Sequence, residues 1–195
     1  MNLILKKCHL TTLSVCLTAV LGTGLLSTTV NAATASSEVR AAQASKITLK
    51  QAIQIAGKRA SGTLISAEFD ENDDQAKGGV YEIEFNTDTH NHSIKVDALT
   101  GKIISTETDR LDSGDIADFK TMKQAKINIT SAMSIAEKNT SGRVMEIEFK
   151  NDRDHVDHDS YYEVEVLKQD QIIELNIDAT TGKVFNKKAK NSNSK

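Results

Sequence analysis

Beyond residue 16 the chain has no cysteine; Cys8 and Cys16 are the only two. A chain that works outside the cytoplasm without cysteine has no disulfides, so its core alone must hold it together. Catalytic signatures are missing too. There is no Gly-x-Ser-x-Gly, no His-Glu-x-x-His, no Gly-rich phosphate loop and no dinucleotide fingerprint. Those absences exclude the corresponding hydrolases, zinc peptidases and nucleotide enzymes, and a non-enzymatic chain is expected. Basic charge is also in short supply. The formal net charge is −3, and removal of Lys6 and Lys7 with the leader described below would take it to −5. That balance disfavours nucleic acid and anionic membrane as partners.

The long apolar run is confined to the start. Lys6 and Lys7 precede a stretch from Leu10 to Leu26, and Val30-Asn31-Ala32 offers small residues at a processing site. This pattern predicts a signal peptide over 1–32, cleaved after Ala32, and an exported chain, periplasmic or secreted. The run is interrupted by Thr and Gly and followed by that site, so no stable membrane insertion is expected. A lipoprotein reading through Cys16 is disfavoured by the bulky Val15 before it.

What the chain does have, it has twice. Ile47 to Gly62 returns 80 positions later as Ile127 to Gly142. Glu68-Phe69 matches Glu148-Phe149, and Tyr81-Glu82-Ile83-Glu84 matches Tyr162-Glu163-Val164-Glu165, now at an offset of 81. Asp97-Ala98-Leu99-Thr100-Gly101-Lys102-Ile103 matches Asp178-Ala179-Thr180-Thr181-Gly182-Lys183-Val184. A duplicated unit of about 60 residues fixes the architecture. One such unit buries only about 60% of its unfolded surface, so the two are expected to pack together or to join a larger assembly.

Each unit opens on helical spacing. Thr48 with Gln51 fits a capping box, and Leu49, Ala52, Ile53, Ala56 and Ala60 follow on one face. The second copy keeps Asn128 as a cap and Ile129, Ala132, Met133 and Ala136 on the stripe, but has Ser131 where Gln51 stands. Gly62 and Gly142 are expected to end these helices in a left-handed conformation. The period then becomes two: Ile65, Ala67 and Phe69, then Tyr81, Ile83 and Phe85, then Ile94 and Val96, each with a counterpart in the second copy. Asp97 and Asp178 start tight turns in which Gly101 and Gly182 take positive φ, leading to short last strands at Ile103-Ile104 and Val184-Phe185. The fold class is α+β, two repeated units, each a helix packed on an antiparallel β-meander of three to four strands. The organisation read from this is a leader at 1–32, a partly disordered lead-in at 33–46 with room for a short helix around Val39 to Ala44, and a first repeat at 47–105. A linker with a short helix follows at 106–126, then a second repeat at 127–187 and a loose tail at 188–195.

The capped helix, the Tyr-x-Ile/Val strand and the Asp-Ala-x-Thr-Gly-Lys-Ile/Val turn resemble the PepSY domain. Here these are Tyr81-Glu82-Ile83 through Asp97 to Ile103, and Tyr162-Glu163-Val164 through Asp178 to Val184. The resemblance implies a module that binds and restrains a secreted or periplasmic peptidase. It carries over no catalytic residues, because the motif positions are turn and core positions.

Two sets of side chains are candidates for binding. Glu68, Glu82 and Glu84 form one outward cluster, and Glu146, Glu148, Glu163 and Glu165 form another. Facing like charges cost stability unless offset, with Lys95 and Lys150 available to do so. Glu82, Glu84, Glu163 and Glu165 are therefore the partner-binding candidates, with an open sheet edge as a second route through β-addition. The loop carrying Asp154, His155, Asp157 and His158 has ligand types for zinc, copper or nickel, which makes an exported metal-binding or metal-sensing protein the alternative. His90 and His92 fall in a different hairpin. Asp70, Asn72 and Asp74 imitate the first ligands of a calcium loop, but Gln75 stands where Gly is required and Tyr81 where Glu is required. No resident cofactor is expected.

Overall fold

The computed structural model describes residues 35–74, 76–151, 155 and 157–190. The expected leader and most of the expected tail lie outside them. In chain order the elements are α1 (Ser37–Ala44), α2 (Leu49–Ala56), β1 (Thr63–Asp70), β2 (Val80–Asn86), β3 (His90–Asp97) and β4 (Ile103–Arg110). The second set is α3 (Ser113–Gln124), α4 (Ile129–Thr140), β5 (Arg143–Asn151), β6 (Ser160–Lys168), β7 (Gln171–Asp178) and β8 (Val184–Ala189). The lead-in therefore carries a helix, and so does the linker. All eight strands form one antiparallel sheet in the order β4-β3-β2-β1-β5-β6-β7-β8.

The two meanders join back to back through β1 and β5, where Ser66 pairs with Glu148 and Ala67 with Ile147. Ala67 and Ile147 are equivalent positions of the two repeats, so a pseudo-twofold axis passes between them. Even the irregularities are copied. A bulge leaves Ile65 unpaired in β1 and Met145 in β5, and register slips recur at Lys95/Val96 and Asn176/Ile177.

Helices start where the caps put them. Thr48 and Gln51 make the full capping box, Asn128 caps α4 through Ser131 N–H, and Asp112 with Asp115 boxes α3. The ends differ from expectation. Gly57 caps α2 in right-handed geometry, and the left-handed cap of α4 is Ser141 (φ 54°). Gly62 and Gly142 serve another purpose. A Cβ there would lie 2.7 Å from the Asn86 carbonyl oxygen and 2.5 Å from that of Leu167, so only glycine lets β1 and β5 close against β2 and β6.

The motif residues tie helix to sheet. Tyr81 and Tyr162 are buried beneath α2 and α4, and their hydroxyls donate to the Ile47 and Ile127 carbonyls at 2.9 and 2.7 Å. Phe69 and Phe149 pack on those tyrosine rings at 5.4 and 5.5 Å. In the turns, Asp97 accepts from Leu99 N, Thr100 N and Thr100 Oγ1, and Asp178 does the same with Thr180 and Thr181. Those turns then hand the Ala98 and Ala179 carbonyls to the backbone N–H of Ile47 and Ile127. Leu49, Ala52, Ile83, Ile94 and their counterparts Ile129, Ala132, Val164 and Leu175 fill one core between the helices and one sheet face. Truncating a buried side chain such as Leu49 to Ala costs about 2–5 kcal/mol.

The last strands run further than two residues. β4 extends to Arg110 and β8 to Ala189, with Lys190 N–H bonded to the Ile172 carbonyl. Lys188 and Lys190 are thus part of the sheet rather than of a loose tail. Glu174 on the neighbouring β7 holds Lys188, and Glu165 on β6 with Glu38 of α1 holds Lys190.

Candidate partner-binding face

Alternation along the strands sends the tyrosines and aliphatics to the helices and the glutamates to the opposite face. There the cross-strand pairs align in a row. Lys95 lies across from Glu82, Glu82 from Glu68, Glu146 from Glu165, Glu165 from Glu174, and Glu174 from Lys188. Counting on from the Ala67–Ile147 pair sets Glu68 across from Glu146, which completes five consecutive glutamates with a lysine at each end. A second row runs Glu107, Ser93, Glu84, Ser66, Glu148, Glu163. Of the four candidate glutamates, Glu82, Glu84 and Glu163 are half-buried and Glu165 is buried at 6% exposure. All four share this face, but Glu82 and Glu84 sit on β2 and Glu163 and Glu165 on β6, two strands either side of the seam.

Crowding and burial disfavour charge here. Glu146 is pushed up to about 8, first by desolvation and then by Glu165 and Glu68. Glu68, Glu84, Glu163 and Glu165 are raised as well, each chiefly by desolvation. Hydrogen bonds offset part of this: Ser66 donates to Glu84 at 2.9 Å and Ser93 to Glu82 at 2.6 Å. Lysines offset more. Lys190 Nζ lies 2.7 Å from Glu165 and 3.3 Å from Glu38 of α1; Lys188 pairs with Glu174 at 3.0 Å and Lys150 with Glu148 at 2.5 Å. Lys95 pairs with Asp73 at 2.8 Å and approaches Glu82 at 3.8 Å. At the seam a groove of about 210 Å³ opens between Glu68, Glu82, Glu84, Glu146 and Glu148.

The histidine loop is arranged differently from a loose cluster. His158 Nδ1 lies 2.8 Å from Asp178 Oδ2, and its ring stacks on Phe185 at 3.8 Å. His155 Nε2 lies 2.9 Å from the amide of the buried Asn176, with its ring edge-on to Phe185 and Tyr161. Desolvation pushes the Asp178 carboxyl up, but the hydrogen bonds from His158, Thr181 and Thr180 together outweigh it and bring it down to about 2. Asp157 is exposed at φ 70° and Asp154 lies outside the described residues. Among the described residues no three His, Cys, Asp or Glu groups converge as a metal cage. His90 and His92, on β3, bond Thr89 and Thr108. In the calcium-like loop Asp70 accepts from the Asn72 N–H, and Asp73 is taken by Lys95.

Sequence reasoning missed Glu38, Lys190, Asn176 and Phe185 as members of these groups. The signal for Lys190 was its place in register beyond β8, two residues from Lys188, in a strand read as too short. Phe185 was visible as the aromatic beside the second turn, where the first repeat has Ile104.

Set against known proteins, the chain matches the PepSY profile, described as the peptidase propeptide and YPEB domain, over residues 46–107 and 126–188. A crystal structure of a candidate lipoprotein from Clostridium difficile 630 aligns with a TM-score of 0.46 and 23% identity, covering 78% of this chain and 99% of its own. No curated protein matches the chain. Among the described residues no helix is long and apolar enough to cross a membrane.

Proposed function

Because the chain belongs to the PepSY family and carries that domain twice, we propose that it is an exported, non-enzymatic module that binds and restrains a peptidase. The observation that carries this reading is that both matched copies merge into one sheet with the helices on one side and a carboxylate-lined face on the other. The family's description as a peptidase propeptide supports a peptidase as the partner. The motif residues themselves are absorbed by the fold, so recognition falls to the face that varies around them. Glu82, Glu84, Glu163 and Glu165 are the residues proposed to meet the partner. Affinity capture with the immobilised chain, from envelope and secreted fractions, is expected to retain a peptidase whose activity falls on binding. Retention of no peptidase would remove the reading.

One observation favours a second reading, a metal-binding protein. His155 and His158 each have one ring nitrogen on a protein partner, Asn176 and Asp178. Ligating histidines are oriented by such a bond, which leaves the other ring nitrogen for a metal. Asp154 and Asp157 would complete the set. Calorimetry with zinc is expected to give a dissociation constant well below about 1 mM that His155→Ala with His158→Ala abolishes. An unchanged titration in the double variant rules this reading out.

A further inference from the structure

The outer edges of β4 and β8 pair with no other element among the described residues. Neighbouring strands are antiparallel throughout, so with eight of them β4 and β8 run in opposite directions. A second copy set beside the first, without being turned over, therefore brings its β8 antiparallel to β4. Helices and glutamates stay on matching sides across such a junction.

The unpaired backbone groups of the two edges fit each other. Leu111 N–H bonds the Thr89 carbonyl and Lys190 N–H bonds the Ile172 carbonyl, both toward the inside of the sheet. Alternation along the strands then turns the N–H and C=O of Thr106 and Thr108 outward on β4, and those of Lys187 and Ala189 outward on β8. Setting Thr108 opposite Lys187 and Thr106 opposite Ala189 of the second copy matches outward donors to outward acceptors. The same register puts Glu107 directly opposite Lys188 on the glutamate face, with Asp109 diagonal to Lys188. Glu107 and Asp109 are exposed, and the Lys188 side chain keeps 59% exposure beside Glu174. A register slid by two residues would set Arg110 opposite Lys187 and is disfavoured by charge.

Charge also selects against symmetrical pairing. β4 against β4 would oppose Glu107 and Asp109 to one another, and β8 against β8 would oppose lysines to lysines. A lysine-bearing edge ordinarily repels a second copy, but here the far edge of the same sheet carries carboxylates at the equivalent positions. We propose that the chain associates with copies of itself edge to edge, β4 of one pairing with β8 of the next. This goes beyond the peptidase reading and does not depend on it, since neither face of the sheet is covered. The contact joins two different edges, so one edge stays free at each end and growth does not stop at a dimer.

The test is sedimentation of the chain as its host exports it, from about 10 μM to about 1 mM at low ionic strength. The weight-average mass should climb with concentration past that of a dimer and fall back when salt is added. Glu107→Lys with Asp109→Lys gives β4 the lysines that the second repeat already carries at those places, so the melting temperature should hold. Self-association of this variant should weaken at least about tenfold, yet it should still bind the parent chain, because its β8 is intact. Thr108→Pro removes an outward N–H without changing charge, which an edge strand tolerates, and should weaken association as well. A chain that stays monomeric over the whole range overturns the proposal, as does a mass that levels off at a dimer. So does association that either variant leaves unchanged, that salt strengthens, or that the lysine variant no longer makes with the parent.

Discussion

Lys190 and Asp109 occupy the same position in the two repeats, as do Lys188 and Glu107. On β8 Lys188 neutralises Glu174, and just past its end Lys190 neutralises Glu165; on β4 the acidic residues lie beside Asn91 and Ser93. Around these positions the framework is copied down to its bulges. The tyrosine ties, the aspartate turns and the close glycines all recur with distances that agree within a few tenths of an ångström. The comparison teaches that this fold tolerates a reversal of charge on its outer strands because the positions that differ lie away from the core, to which those strands contribute through Ile103 and Val184. Divergence between the copies is therefore concentrated in how the carboxylate face is neutralised. The second repeat does it with Lys150, Lys188 and Lys190, and the first with Lys95 and the hydroxyls of Ser66 and Ser93.

Substitutions at equivalent positions can break that comparison or sharpen it. The largest effect should come from the close glycines. Gly62→Ala pushes a Cβ onto a carbonyl oxygen at a φ of 134°, whereas Gly142→Ala meets the same obstacle without positive φ. Gly62→Ala should cost about 3 kcal/mol and Gly142→Ala about 2 kcal/mol by urea unfolding. Equal costs would mean that the backbone angle contributes nothing.

Next comes pH, acting through Glu146, whose counterpart is the uncharged Ser66. Glu146 holds its proton to about pH 8 when folded, against its ordinary value of 4.5. The folded state thus binds the extra proton between those limits. Its stabilisation is complete below about pH 4.5 and is lost as pH rises through 8. Thermal melts should weaken from pH 5 to pH 9 by about 2–4 kcal/mol, and Glu146→Gln should flatten that slope. A slope that persists in Glu146→Gln would assign it to the other raised glutamates.

Lys190→Met should cost about 1–2 kcal/mol, since it strands the buried Glu165 and half-buried Glu38. Asp109→Asn in the first repeat should leave the denaturation midpoint where it was. A smaller loss is expected at His158, which has no counterpart in the first turn. Asp178 is held at about 2, below its ordinary 3.8, so its contribution is present above pH 3.8 and lost as pH falls through 2. His158→Ala should reduce stability at pH 6 by about 1 kcal/mol, and that difference should shrink in acid titration. A difference that grows toward pH 2 would count against the pair.

Local features were legible in the sequence. Capping residues, strand alternation and the aspartate turns depend on neighbours a few residues away, and each falls where its chemistry requires. The α+β class and the duplication followed from them. What escaped was set at longer range. Gly62 and Gly142 read as helix stops, yet their reason lies in the carbonyls of Asn86 and Leu167 on an adjacent strand. The joining of the meanders was invisible because two residue pairs at the seam leave no turn or motif behind. At the candidate face the glutamates were readable from alternation. So were two of their cations, Lys95 and Lys150; Lys190 was not, since it meets Glu38 across more than 150 residues.

The pseudo-twofold axis has a consequence for how the molecule comes apart. Each leading helix is anchored in the other half: Gln43 of α1 bonds Gln169 and Asp170 at one hairpin tip, and Lys123 of α3 pairs with Asp88 at the equivalent tip. The two halves therefore embrace like clasped hands, and neither can let go without undoing its own grip. A gene for one half alone would yield a product with an open strand and an orphaned helix. Its nearest complement would be another molecule of the same half, closing across a true twofold what the full chain closes across an approximate one.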